Sequence, residues 1–336
     1  MGRPTDQQTS RPVFMLHALE LAKRSLGKVG PSAAVGCVII KNNVIVGRGW
    51  TQAGGRPHAE AMALAQAGDA AYGADMYVTL EPCFMPGRGA PCTQSMIDAG
   101  LKKVFVAIRD PNPRVNGQGI AALRAAGIEV VEGLCADEAA QLNKGFLLLQ
   151  TQQRPMVTLK LAISADGKMT TGDKNNRWIT GEAARRHGHL LRANHDAIMI
   201  GIGTALADDP MLDCRIVGLE KYSPVRVILD SKNQFSENSK LKQTSDKIPL
   251  LVLAEKDPLK ILHELAAKRI SRVLIEGGAK VAQSFLAAGL VDEVVIYQSP
   301  NTVGGQGLSA PELPEDFRQK SEIQLGLDSY KHYLKG

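Results

Sequence analysis

The chain has 336 residues, 44% of them hydrophobic and 22% charged, a length beyond what one hydrophobic core usually serves, so two globular domains are expected. Its net charge of +6 is spread without basic blocks and only 4% of residues are aromatic, which leaves little to stack on bases and argues against nucleic-acid binding. Residues 1–11 are polar, with no apolar core for a signal peptide or anchor, and the five cysteines are odd in number and irregularly spaced; no membrane association, no disulfide framework and a reducing, cytoplasmic compartment follow as expectations.

In chain order, Val13, Leu16, Leu19, Ala22 and Leu26 recur at helical spacing and predict an amphipathic helix over residues 11–26, ended by Gly27 and Gly30, with His17 packed. Residues 35–40 and 44–46 flank Lys41-Asn42-Asn43 as a hairpin. An alanine-rich helix over 58–67 comes next, then a strand at 76–80, a helix at 91–99 and a strand at 104–108. A helix near 121–126, a strand at 128–131 and a helix over 137–149 complete the first half. This alternation predicts helices on both faces of a mostly parallel sheet. A polar bridge at residues 150–155 sets the boundary, giving domains 1–150 and 151–336. The second half offers a strand at 156–163, a helix at 182–194, and strands at 197–200, 225–229 and 250–254. Further on come a helix at 259–267, a strand at 273–275, a helix at 280–288, a strand at 293–297, and a strand pair around 323–325 and 330–334.

Within the first half, His58-Ala59-Glu60 precedes Glu81-Pro82-Cys83 and then Cys92. Catalytic zinc sites keep three protein ligands and leave the fourth position to water, so His58, Cys83 and Cys92 fit the count. Glu60, two residues beyond His58, is suited to moving protons at that water. The order H-x-E, P-C, C is the zinc deaminase pattern. A structural zinc knot would need a fourth ligand, and no further Cys or His stands near these three in sequence; one zinc ion per chain is expected. Cys37, Cys135 and Cys214 are assigned to packing.

In the second half, Gly277-Gly278 between a strand and a helix could bring backbone N–H groups to a phosphate, and Gly201-Ile202-Gly203-Thr204 reads as a second such loop. Together they suggest a nucleotide cofactor, although no G-x-G-x-x-G is present. Asp208-Asp209-Pro210 reads as a turn. Trp178, in a polar loop, covers either a ligand or a hydrophobic satellite.

These stretches, with Val35-Gly-Cys-Val38, Asp110-Pro-Asn-Pro113, Leu142-Asn-Lys-Gly-Phe146, Leu159-Lys-Leu-Ala-Ile-Ser-Ala-Asp-Gly167, Trp178-Ile-Thr180 and Arg226-Val-Ile-Leu-Asp-Ser231, run in an order that resembles the bifunctional riboflavin-biosynthesis deaminase/reductase family over nearly the whole length. The resemblance implies an α/β protein: a cytidine-deaminase-like three-layer α/β/α domain followed by a dihydrofolate-reductase-like α/β domain. It implies two successive reactions on a small phosphoribosylaminopyrimidine, first hydrolytic loss of a ring amine at zinc with Glu60 relaying protons, then NADPH-dependent reduction of the ribose to a ribityl chain. Carried over by position, Ala162, Trp178, Thr204, Asp208, Ser231 and the run Gly278, Ala279, Lys280, Val281, Ala282, Gln283 and Ser284 match cofactor contacts. Asn176, Arg192, Leu212, Arg215 and Glu276 match substrate contacts in the reductase, the arginines being suited to phosphate. Arg88, Asp110 and Asn112 match the substrate loops of the deaminase. A homo-oligomer is also expected.

The chain departs from the family pattern where Ser32 stands in place of an Asn before the first strand, and where Met85 stands at a polar position between Cys83 and Cys92. An active reductase joined to a deaminase of impaired or altered specificity is therefore the second reading.

Overall fold

Alternate residues of each strand in the first half face opposite apolar layers, and that alternation organises the fold. The computed structural model describes residues 6–86, 89–172, 178–305 and 307–336, with side chains from residue 12 onward, so Arg88 and Asn176 lie outside the described residues. Its contacts divide the chain into two compact units, Met1–Gln152 and Gln153–Gly336.

The first unit runs α1 (Asp6–Ala22), β1 (Gly36–Lys41), β2 (Val44–Trp50), α2 (Ala59–Ala67), β3 (Asp75–Val78), α3 (Cys92–Asp98), β4 (Lys103–Val106), α4 (Gln118–Ala125), β5 (Glu129–Glu132), α5 (Ala136–Leu142) and α6 (Lys144–Gln152). Cys37, Ile39, Met76, Val78, Val104 and Val106 pack with residues of α2, α3 and α4. Val38, Ile40, Tyr77 and Phe105 face the other way, onto α1 and α5. Tyr77 and Phe105 stack there with ring centroids 4.4 Å apart. Three layers result.

Some expectations need correcting. The sheet, ordered β2-β1-β3-β4-β5, is mixed rather than mostly parallel, because β1 pairs antiparallel with both β2 and β3. The β1–β2 hairpin itself forms as expected. Its turn uses Asn42 and Asn43 at φ 51° and 62°, the left-handed conformation that a two-residue turn of matching twist requires and that Asn tolerates. The helix expected at 137–149 is two helices, broken at Asn143. The Asn143 side-chain amide accepts from Ala34 N–H at 2.9 Å and donates to Ala34 C=O at 3.1 Å, tying the break to the start of β1.

Helix α1 also starts at Asp6, ahead of the expected residue 11, and keeps Pro12 inside it. Residues 150–155 are not simply a polar bridge. Helix α6 reaches Gln152, and buried Arg154 makes a paired salt bridge to Asp292 at 2.7 and 2.9 Å.

The second unit runs β6 (Met156–Ile163), α7 (Glu182–Ala193), β7 (Ala197–Gly201), α8 (Ile202–Asp208), β8 (Val225–Leu229), α9 (Lys240–Gln243), β9 (Leu250–Leu253), α10 (Pro258–Ala267), β10 (Arg272–Glu276), α11 (Ala279–Ala287), β11 (Glu293–Gln298), β12 (Phe317–Leu325) and β13 (Asp328–Lys335). Its sheet is ordered β12-β13-β11-β6-β10-β7-β8-β9. The six strands from β11 to β9 are parallel, and the β12–β13 hairpin adds an antiparallel edge. Leu159, Val227, Val273 and Ile275 meet α10 and α11 on one face, while Ile198, Ile200, Ile228 and Leu274 meet α8 and α9 on the other. Gly203 lies inside α8, so the stretch read as a glycine loop is a helix entered directly from β7. The terminal pair is longer than expected, and edge strand β12 exposes Arg318, Lys320 and Glu322.

Candidate active sites

In the first unit the chemistry gathers where α2 and α3 begin. His58 is the N-cap of α2 with extended backbone, φ −71° and ψ 160°, which turns its ring out of the helix while Glu60 sits in the first turn, 4% exposed. Cys83 follows the end of β3, and Cys92 is the first residue of α3, whose backbone N–H donates to Cys83 Sγ at 3.3 Å. A helix N-terminus aimed at sulfur favours the thiolate.

His58 Nδ1 lies 3.2 Å from Cys92 Sγ and 3.6 Å from Cys83 Sγ, and the three atoms all fall within 4.8 Å of one another. Bonds of 2.0–2.3 Å in a tetrahedron put neighbouring ligand atoms about 3.5–3.8 Å apart. The donor set therefore fits zinc in spacing and softness. Among the described residues no fourth ligand joins the cluster, so the three-ligand count holds. The neighbouring Cys92 and the His58 ring hold the Cys83 thiol below its ordinary value, and Cys83 with burial pushes Cys92 up. Burial raises the Glu60 carboxyl above its ordinary value.

Asp110 and Asn112 lie in the loop after β4. Asp110 Oδ1 accepts from Asn112 N–H at 2.9 Å, and Asn112 Oδ1 accepts from Arg114 N–H at 3.0 Å, so each carboxyl or amide oxygen braces its own loop. Burial raises the Asp110 carboxyl, and the charges of Glu81 and Cys83 add to the rise. Ser32 Oγ stands beside Gly55, and Met85 is exposed. Cys37 and Cys214 are buried, and Cys135 is partly buried against the apolar layer of α1 and α5.

In the second unit a cavity of about 930 Å³ opens at the carboxyl ends of β6, β7 and β10, where parallel sheets place ligands. Of the residues matched by position, it brings together Ala162, Trp178, Thr204, Asp208, Arg192, Leu212, Arg215 and Glu276. Trp178 is 64% exposed, borders the cavity and has the Arg185 guanidinium 4.8 Å from its ring.

Arg192 is already engaged. Its Nε and Nη2 donate to the two Glu276 oxygens at 2.7 and 2.9 Å, and Nη1 donates to Asp213 C=O at 3.0 Å. Arg215 is the freer cation, over half exposed, with its side chain 3.1 Å from His189 Nε2. Burial would raise the Glu276 carboxyl, but Arg192 and then Lys160 outweigh burial and hold it at about 2.

Lys160 is a site residue that the sequence patterns did not single out. Its Nζ sits 3.8 Å from Glu276, over the ring of Tyr297, and burial lowers its ammonium pKa. A signal existed: a lone cation inside the apolar strand Met156–Ile163 must be paired or functional.

The glycine pair before α11 fits a phosphate. Gly277 and Gly278 both have φ 79°, and a Cβ on Gly278 would sit 3.2 Å from Thr204 Oγ1, so the backbone there forms a cradle only glycine leaves open. The rest of the matched run is less uniform. Ala282 is fully buried and its N–H bonds Gly278 C=O, while Lys280, Gln283 and Ser284 are exposed and do not line the cavity. A helix turns each successive side chain by about 100°, so only part of this run can turn its side chains toward one ligand. Val281 packs on Gly201, and Ser231 lies in the turn after β8, outside the cavity lining.

Residues 8–108 match the cytidine and deoxycytidylate deaminase zinc-binding region, and residues 155–334 match the RibD C-terminal domain. Fold and sites together define a zinc-dependent deaminase joined to an NADPH-using reductase, with the expected cytidine-deaminase-like and dihydrofolate-reductase-like architectures. The chain belongs to the RibD family. It is 40% identical to the riboflavin biosynthesis protein RibD of Aquifex aeolicus over 89% of either chain, and 37% identical to that of Escherichia coli over 90% of either. Among solved structures, RibD of Acinetobacter baumannii superposes with a TM-score of 0.88 at 36% identity, covering 98% of this chain and 99% of that one. The deaminase/reductase of Thermotoga maritima gives 0.86 at 34% identity, covering 98% of this chain and all of that one.

Proposed function

We propose that the chain deaminates a diaminohydroxyphosphoribosylaminopyrimidine in its first unit and reduces the ribose of the resulting 5-amino-6-(5-phosphoribosylamino)uracil in its second, the two activities named for its Thermotoga relative. The convergence of His58 Nδ1, Cys83 Sγ and Cys92 Sγ beside buried Glu60 carries this reading. Bound zinc would make a nucleophile of water at neutral pH, and bound NADPH would supply the reducing equivalent. Glu60 takes the proton released as water adds to the ring carbon and returns it to the departing amine, so water is consumed and ammonia leaves. Asp110 and Asn112 hold the pyrimidine, and the alternative of an altered deaminase is not favoured with the zinc ligands and Glu60 all retained.

In the second unit, Arg215 takes the substrate phosphate. Arg192 fixes Glu276, and the Glu276 carboxylate with Lys160 faces the opened ribose. Lys160 is poised to give a proton to the sugar oxygen, because a partly desolvated ammonium releases its proton more readily than a solvated one. Thr204 and the Gly277–Gly278 cradle hold the cofactor phosphates. The odd number and irregular spacing of the cysteines suit a cytoplasmic setting. A homo-oligomer is the expected state, to be read by light scattering.

Purified protein given the diaminopyrimidine and NADPH is expected to release ammonia and consume NADPH in equal amounts; no ammonia would remove the deaminase assignment, and ammonia without NADPH consumption the reductase assignment. Dialysis against a chelator is expected to abolish ammonia release while reduction of supplied aminouracil proceeds at its full rate. Equal loss of both would place the metal outside the deaminase alone.

A further inference from the structure

Glu81 precedes Pro82 and Cys83 in the segment that leaves β3, and its side chain is buried against the loop after β4 and the start of α4. It is 4% exposed, and its carboxylate accepts four backbone N–H groups. Oε2 takes Asp110 at 3.2 Å and Gly117 at 2.9 Å; Oε1 takes Gly119 at 2.9 Å and Ile120 at 3.3 Å. Two of these donors lie in the first turn of α4, which has no side-chain cap of its own, so Glu81 caps that helix from a distance. The other two bracket the loop that carries Asp110 and Asn112.

Gly119 shows how close the two segments come. A Cβ there would collide with the Pro82 carbonyl oxygen and lie 3.3 Å from the Glu81 side chain. Only glycine admits the chain at this point, so the loop end and the strand end are pressed backbone to backbone one residue before Cys83.

We infer that Glu81 is a positioning residue for the deaminase reaction: by fastening the backbone of the Asp110 loop and the start of α4 to the strand end carrying Cys83, it fixes the distance between metal ligands and substrate-binding groups. This rests on the deaminase reading above. A carboxylate can accept from all four N–H groups, whereas an amide has one acceptor oxygen and would turn an NH₂ against two donors. Substrate-binding groups displaced by about 1 Å lower kcat/KM roughly ten- to a hundred-fold.

The test compares Glu81→Gln with the unaltered chain for deaminase kcat and KM, zinc content and reductase kinetics. The expected result is a loss of about ten- to a hundred-fold in deaminase kcat/KM, carried mainly by a higher KM, with about one zinc per chain and unchanged reductase kinetics. Deaminase constants within twofold of the unaltered chain would overturn the inference. So would loss of zinc in proportion to activity, which would make Glu81 a support of Cys83 and not of the loop. If the unaltered chain releases no ammonia, it is the deaminase reading that fails. Should Glu81→Gln fold poorly, amide exchange in the unaltered chain decides: slow exchange at Gly117 and Asp110, matching Gly119 and Ile120, supports the latch, and fast exchange at the loop pair overturns it.

Discussion

Glu60→Gln is expected to reduce ammonia release by about 10²–10⁴-fold while zinc content and NADPH-dependent reduction stay at their unaltered values. The amide keeps the volume of the side chain, so α2 and the Ala59 and Ala63 packing beneath it are undisturbed. What it removes is the capacity to hold and return a proton beside the metal cluster. His58, Cys83 and Cys92 supply all three ligand atoms, so metal retention is the control that separates proton transfer from collapse of the site. Deamination within threefold of the unaltered rate, with zinc bound, would show that another group moves the proton.

Arg192→Ala is expected to damage the second unit far more than Arg215→Ala. The Arg192–Glu276 pair is buried, with side-chain exposures of 16% and 10%, and its removal leaves a carboxylate facing Lys160 alone. Stranding one partner of a buried pair costs about 3–5 kcal/mol. The pH dependence follows from the same contact. Glu276 titrates at about 2 when folded and near its ordinary 4.5 when unfolded, so the unfolded chain binds the proton first as pH falls. The stabilisation is present above pH 4.5 and disappears as pH drops toward 2. In Arg192→Ala the carboxyl loses its strongest cation and its folded pKa rises, so this unit should be less stable at neutral pH while the part of its acid limb that belongs to Glu276 flattens. Calorimetry across pH 3–7 reads this directly; an unchanged acid limb would mean that Lys160 alone holds the charge. Arg215 is over half exposed, so Arg215→Ala should raise the reductase KM about tenfold with melting behaviour unchanged. Unchanged KM would remove it from the phosphate site.

Much of this was legible in the residues because the signals were local. The apolar runs flanking Lys41-Asn42-Asn43 and the spacing from His58 through Cys83 to Cys92 pointed to the first hairpin and the metal cluster without reference to distant contacts. Failures occurred where a distant contact decides local structure. Asn143 breaks a helix because Ala34 offers it both a donor and an acceptor, and nothing within the run at 137–149 announces that partner. The antiparallel pairing of β1 with β3 depends on chain direction, which composition does not carry. Glu81 drew no assignment as part of the Glu-Pro-Cys stretch, since a carboxylate that serves backbone N–H groups has no spacing signature.

The hairpin that closes the large sheet leaves β12 as its rim, with Arg318, Lys320 and Glu322 all exposed along it. A bare rim of this length is a template on which a strand from another molecule can add, and charged side chains of both signs oppose such growth. Neutralising that trio would therefore leave both catalytic centres intact yet turn the protein toward fibrous or amorphous self-association, with solubility lost before activity.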